Sequence, residues 1–193
     1  LDGSFGMARE TAEFINGAIN AGCGPCSPAS VRGIGEVVGG RISGDKLKYS
    51  SSSILCACYR LKVPVCVHVA IGTDIIHQHP LADGAAIGRG SMADFRKLVI
   101  SVGRLGGGGV VINFGSAVIL PEVFLKAINL ARNLGKKVKG FTAANFDMYT
   151  HYRPTQNILL RPTQKGAGRG YNIIGHHEIM LPLLYRSLME KLT

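Results

Sequence analysis

Residues 106–147, GGGGVVINFGSAVILPEVFLKAINLARNLGKKVKGFTAANFD, decide the fold of this chain. Four glycines lead into Val110, Val111 and Ile112, an apolar run that suits a buried strand. Gly115-Ser116 breaks the run. Pro121 suits the first turn of a helix, where no amide donor is needed. Val123, Phe124, Ala127, Leu130, Ala131 and Leu134 then recur at helical spacing along one apolar face. Gly135 is the stop signal, and residues 136–142 read as a second strand that ends at the polar turn Asn145-Phe146-Asp147. A βαβ unit of this kind implies a parallel sheet with a right-handed crossover, hence an α/β fold. Ligands of such sheets bind beyond the carboxyl ends of the strands, which this reading places at residues 113–116 and 142–145.

Outward from that unit, residues 7–21 read as a helix between a Ser4 cap and a Gly22 stop. Cys23-Gly-Pro-Cys26 has the letters of a dithiol redox motif, but a helix precedes it and Ser27-Pro28 follows, so buried thiols are the better reading. A metal site with Cys56 and Cys58 has poor geometry, because C-x-C falls inside a helix. Residues 30–42 read as a glycine-laden helix, and the serines at 50–53 cap a further one that runs through Tyr59. Residues 62–70, with valine at every second position from Val63 to Val69, read as a strand that enters Gly72-Thr73-Asp74-Ile75-Ile76-His77-Gln78-His79. Residues 81–90 read as a loop, with Ser91 capping the next helix and Asp94 three positions on. Past Asp147, residues 148–154 read as a loop, 156–160 and 171–174 as strands, and 179–192 as a closing helix.

The 193 residues fit one α/β domain, 46% hydrophobic, with no apolar run long enough for a membrane span. The chain opens on Leu1 rather than Met, which carries the expectation of a missing N-terminal portion of the fold. No secretory signal is read, and five cysteines, an odd count, fit reduced thiols in a cytoplasm. The net charge is +10, from 22 basic and 12 acidic residues, and the basic residues are dispersed rather than interleaved with aromatics. That argues against nucleic acid and leaves solvated lysines or a small polyanionic ligand.

Three candidate strand ends carry polar chemistry: Thr73-Asp74 with His77 and His79, the stretch 142–147, and His176-His177-Glu178. A carboxylate at a strand end can hold ribose hydroxyls, while glycine amides and a helix N-terminus hold phosphate. Gly106–Gly109 is not GxGxxG, and a tight turn explains it equally well. His77 and His79 share a face of extended backbone, so Asp74 or His176 would complete a metal site with them.

From Leu61 onward the order of segments resembles deoxyhypusine synthase. The likeness rests on Val63-Pro64 before Thr73-Asp74, Gly107-Gly108-Gly109-Val110-Val111, Leu130-Ala131-Arg132-Asn133, Thr142-Ala143 with Phe146-Asp147, and Pro182-Leu183-Leu184. The chain is more closely similar to a bacterial and archaeal branch of deoxyhypusine synthase-like proteins, through VHVAIGTDIIHQHP (67–80), GSAVILPEVFLKA (115–127), NFDMYTHYRP (145–154) and GHHEIMLPLL (175–184). The resemblance implies a Rossmann-like parallel sheet with helices on both faces, an NAD cofactor, transferase or hydride-transfer chemistry on a small molecule, and a homotetramer. It places Asp74 near the ligands and Gly108, Gly109, Thr142, Ala143 and Asp147 on the NAD pocket, and Ser116, at the end of the first strand, is a further cofactor-binding candidate. It also marks a departure. Where the synthase has its imine-forming lysine, this chain has Arg161-Pro162-Thr163, so the covalent aminobutyl route lacks its amine. Asp74, His79, His176, His177 and Glu178 are then the candidate acid–base groups. A metal-dependent enzyme built on the His/Asp/Glu residues and a non-catalytic nucleotide-binding subunit are the competing readings.

Overall fold

A computed structural model describes residues 8–25, 31–45, 47–164 and 166–192. The expected Ser4 cap, Cys26 and Ser27-Pro28 lie outside the described residues. The chain divides into two compact units, Leu1–Leu98 and Val99–Thr193.

The first unit is helical. Helices α1 (Ala8–Cys23), α2 (Ile34–Gly44) and α3 (Ile54–Arg60) precede α4 (Gly84–Val102), with short 3-10 turns at Ser50–Ser52 and Ile75–Gln78. Ile19, Cys23, Ile34, Val37, Val38 and Ile87 form its core, with Leu55, Val67 and Val69 packed against them. Ser53 caps α3 as its position requires, accepting a bond from the Cys56 amide at 3.2 Å.

Two expectations fail in this unit. Residues 62–70 pair with no strand among the described residues. Lys62 turns in left-handed backbone at φ +56, and past it two amides of the segment go to side chains of α4: Val67 N–H donates to Asp94 Oδ2 at 3.0 Å, and Val69 N–H to Ser91 Oγ at 3.2 Å. Helix α4 also begins seven residues before the expected Ser91 cap, with Ala85 N–H donating to Asp83 Oδ1 at 2.8 Å. Asp94 is therefore not a cap of its own helix but a fully buried carboxylate. It bridges α2, through Gly35 N–H at 3.1 Å, to the extended segment.

The second unit carries the sheet. Strands β1 (Val110–Phe114), β2 (Thr142–Asp147) and β3 (Arg169–Ile174) are parallel and lie side by side in sequence order. Helix α5 (Ile119–Asn133) makes the first crossover. Helix α6 (Tyr152–Pro154), a π-helical segment (Thr155–Leu160) and α7 (Arg161–Gln164) make the second, and α8 (His177–Leu192) closes the unit. The result is a parallel α/β sheet flanked by helices. Phe124, Ala127, Ile128, Phe141, Ala143 and Ile158 are buried within it, and the rings of Phe124 and Phe141 meet edge to face at 6.5 Å.

Here too the boundaries move. The second strand is 142–147 rather than 136–142, and residues 156–160 are π-helical rather than extended. The glycine run explains the first shift. Gly107 and Gly108 donate to the carbonyls of Lys139 and Gly140 at 2.9 and 3.0 Å. A Cβ on Gly106 would stand 2.4 Å from the Lys137 carbonyl oxygen. The two chains thus approach backbone to backbone before either strand begins, which only glycine permits. The second shift reflects the ambiguity of short apolar runs, which periodicity alone assigns to strand or helix with equal ease.

Candidate functional site at the carboxyl lip of the sheet

Register fixes what each strand contributes. Asn113, Asn145 and Asn172 are aligned neighbours on the three strands. Side chains alternate along a strand, so Asp147 shares the face of Asn145. A Cβ on Gly170, also on that face, would meet the Leu159 carbonyl oxygen at 2.8 Å, so the π-helical segment lies directly over it.

The three asparagines form a ladder across the sheet. Asn113 Nδ2 donates to Asn145 Oδ1 at 2.6 Å, Asn145 Nδ2 to Asn172 Oδ1 at 2.8 Å, and Asn172 Nδ2 to Thr150 Oγ1 at 3.2 Å. Asn113 Nδ2 also donates to the Ser116 carbonyl at 3.0 Å. A carbonyl only accepts, so it sets the polarity of the whole row. Asn113 has then used its donors, and its Oδ1, fully buried, has no partner.

Asp147 ends β2. It is 6% exposed. Its Oδ1 accepts from Met148 N–H at 2.8 Å, while its buried Oδ2 makes no hydrogen bond and lies 3.9 Å from His151 Nε2. An unmet buried acceptor costs about 1–3 kcal/mol, and Asp147 Oδ2 is one, as is Asp94 Oδ1 in the first unit.

The remaining lip comes from the ends of β1 and β3. Gly115 takes φ +69, and a Cβ there would stand 2.8 Å from His177 Cε1. Glycine is thus demanded twice, by the turn and by the imidazole packed on it. His177 Nε2 lies 3.3 Å from the Phe146 carbonyl oxygen, and its ring leans on Phe114, which stacks on Phe146 at 4.8 Å. A carbonyl partner makes Nε2 the protonated nitrogen and leaves Nδ1 an acceptor. Ser116 Oγ accepts from Leu120 N–H at 3.0 Å at the start of α5, while the amides of Ala117 and Val118 donate to nothing among the described residues. Gly175 N–H donates to the Asp147 carbonyl at 3.0 Å, which joins the β3 turn to Asp147. His176 and Glu178 follow on exposed backbone at the first turn of α8.

No protein-family model, curated protein or solved structure matches this chain.

The sequence candidates fall into three places. Ser116, Asp147, His176, His177 and Glu178 all stand at the carboxyl ends of the strands, Asp147 on the asparagine face and His177 against Phe114 on the other. Gly108, Gly109, Thr142 and Ala143 lie at the opposite ends of the same strands, where Thr142 N–H donates to the Gly109 carbonyl at 2.9 Å. Six residues of strand, roughly 16 Å, separate Thr142 from the Asp147 tip.

Asp74 and His79 belong to the first unit, on the turn after the extended segment. Asp74 Oδ1 accepts from Ile76 N–H at 3.2 Å, and His77 Nδ1 accepts from the Gly72 and Asp74 amides, which makes a reciprocal cap on the 3-10 turn. His79 Nδ1 accepts from Leu81 N–H at 3.2 Å, and its Nε2 lies 3.8 Å from Glu13 Oε1. Among the described residues no three His, Cys, Asp or Glu side chains gather as a metal site would require. Cys23 and Cys56 are buried, with Cys23 Sγ donating to the Arg32 carbonyl at 3.2 Å, and Cys58 and Cys66 are half-buried. The asparagine ladder escaped the sequence reading, although an asparagine at the fourth position of each strand (VVIN, TAAN, RGYN) was a visible signal.

Proposed function

We propose that the carboxyl lip of the sheet binds the ribose of a dinucleotide, NAD by resemblance, and that the protein is an enzyme of hydride-transfer or transferase type acting on a small molecule. The observation that carries this reading is Asp147: an acidic residue at the tip of the second strand of a βαβ unit, buried and with an oxygen unspent. In doubly wound sheets a carboxylate there accepts bonds from ribose hydroxyls. The free amides of Ala117 and Val118, ahead of α5, fit a phosphate at a helix N-terminus. Gly108, Gly109, Thr142 and Ala143 do not fit the same bound ligand, because they stand at the other end of the strands.

When bound, the nicotinamide would supply a hydride acceptor. The chain's own part is binding and proton handling. Asp147 holds the sugar, and Ser116 keeps its hydroxyl hydrogen free toward the phosphate. His177, with Nε2 held by the Phe146 carbonyl, offers Nδ1 as the base toward the substrate. Arg161-Pro162-Thr163 offers no amine, so the reaction proceeds without a covalent imine.

Calorimetric titration with NAD tests this: saturable binding is expected, weakened at least tenfold in Asp147→Ala. His177→Ala should retain NAD binding and lose turnover. Absence of heat with the wild-type protein would return the non-catalytic or metal-dependent alternatives to the front.

A further inference from the structure

The first unit holds a cleft of about 340 Å³, bordered by Tyr59, Lys62, Val63, Val65, Glu36 and Lys97. Its size falls in the range of small-molecule sites. Lys97 is already answered: its Nζ lies 2.6 Å from Glu36 Oε2 and 3.9 Å from Asp94 Oδ1. Lys62 makes no ion pair among the described residues.

Lys62 also stands where a lysine is costly. It has φ +56, the left-handed region. Lys62 N–H donates to the Tyr59 carbonyl at 3.2 Å and Val63 N–H to the Cys58 carbonyl at 2.9 Å, the paired bonds of a Schellman stop after α3. The same stop follows α5, where Gly135 N–H reaches Arg132 and Lys136 N–H reaches Ala131, both at 3.0 Å. There the left-handed residue is Gly135, at φ +81. At Gly135 the turn carries no side chain, whereas at Lys62 it carries an ammonium on the border of the cleft. A side chain held against its backbone preference is a pointer to function.

We propose that this cleft is a binding site for a small organic anion, a carboxylate or phosphate monoester with a short apolar body. The anionic oxygens meet the Lys62 ammonium, and the body lies on Tyr59, Val63, Pro64 and Val65. The site is independent of the carboxyl lip, and neither reading needs the other.

The test is an NMR titration of the whole chain with isovalerate and, separately, with phenyl phosphate, at constant ionic strength. At least one probe should give saturable amide shifts at Tyr59, Val63, Val65 and Lys97, and the better binder identifies the class of anion. Lys62→Gly should raise the melting temperature by about 2–4 °C, because it removes the backbone strain, while weakening probe binding about tenfold. Lys62→Arg should keep the binding. A more stable protein that no longer binds is a pair of results that a structural role for Lys62 does not produce. The proposal is overturned if neither probe gives saturable shifts, or if Lys62→Gly binds as the wild type does.

Discussion

Asp74 with its histidines and Asp147 with its histidine carry the same kinds of residue, and the structure uses them in opposite ways. Around Asp74 the side-chain acceptors are committed to backbone amides of their own turn. At the lip, Asp147 Oδ2 and Asn113 Oδ1 are buried with no partner. The first cluster makes a corner of the chain. The second keeps two buried acceptors unanswered, the capacity that the proposed reading assigns to a ligand. Where each acceptor spends its lone pairs distinguishes a structural turn from a binding site, which residue type alone does not.

The strongest way to break this comparison is at Gly115. Gly115→Ala adds a Cβ in left-handed backbone against the His177 ring, and we expect a destabilisation of about 2–4 kcal/mol, read by urea denaturation. A neutral result would mean that the lip is pliable rather than built. Asp74→Ala comes next. It removes a cap, at about 0.5–2 kcal/mol, and should leave ligand binding at the lip unchanged. A loss of NAD affinity without loss of stability would move Asp74 from the first category to the second.

The smallest effect extends the comparison to a group governed by burial. Burial pushes the His68 imidazole below its ordinary 6.5, with the Asp94 carboxylate partly opposing that shift. Below about pH 6.5 the unfolded chain then binds a proton that the folded chain refuses, so stability falls as the solution is acidified through that range. His68→Gln should flatten this acid-side slope in denaturation measured across pH. An unchanged slope would remove His68 from the account.

The sequence made much of this legible, and the failures have identifiable physical causes. The βαβ unit, the α5 face, the Ser53 cap and the Gly135 stop all follow from local rules that nothing in the tertiary structure overrides. Residues 62–70 have the valine alternation of a strand, yet the amides of Val67 and Val69 are taken by Asp94 and Ser91, polar side chains of α4. Strand β2 is the reverse case. TAANFD has weak strand propensity, and what holds it centrally in the sheet is an asparagine row whose partners are on other strands. Helix α4 begins among glycines that argue for a loop, held by an Asp83 cap the sequence reading passed over. In the first two cases long-range hydrogen bonding decided what local pattern could not, and in the third a local cap outweighed the glycines. The same holds for the site: Asp147 was visible as a candidate, while its unspent oxygen required the fold.

The most direct measurement is a matched pair of titrations with NAD on Asp147→Asn and Asp74→Asn, with the wild-type protein beside them. Asp147→Asn should lose at least tenfold in affinity while staying folded, and Asp74→Asn should bind as the wild type does. Equal binding by wild type and Asp147→Asn, or an affinity loss confined to Asp74→Asn, would contradict the assignment of the site to the carboxyl lip.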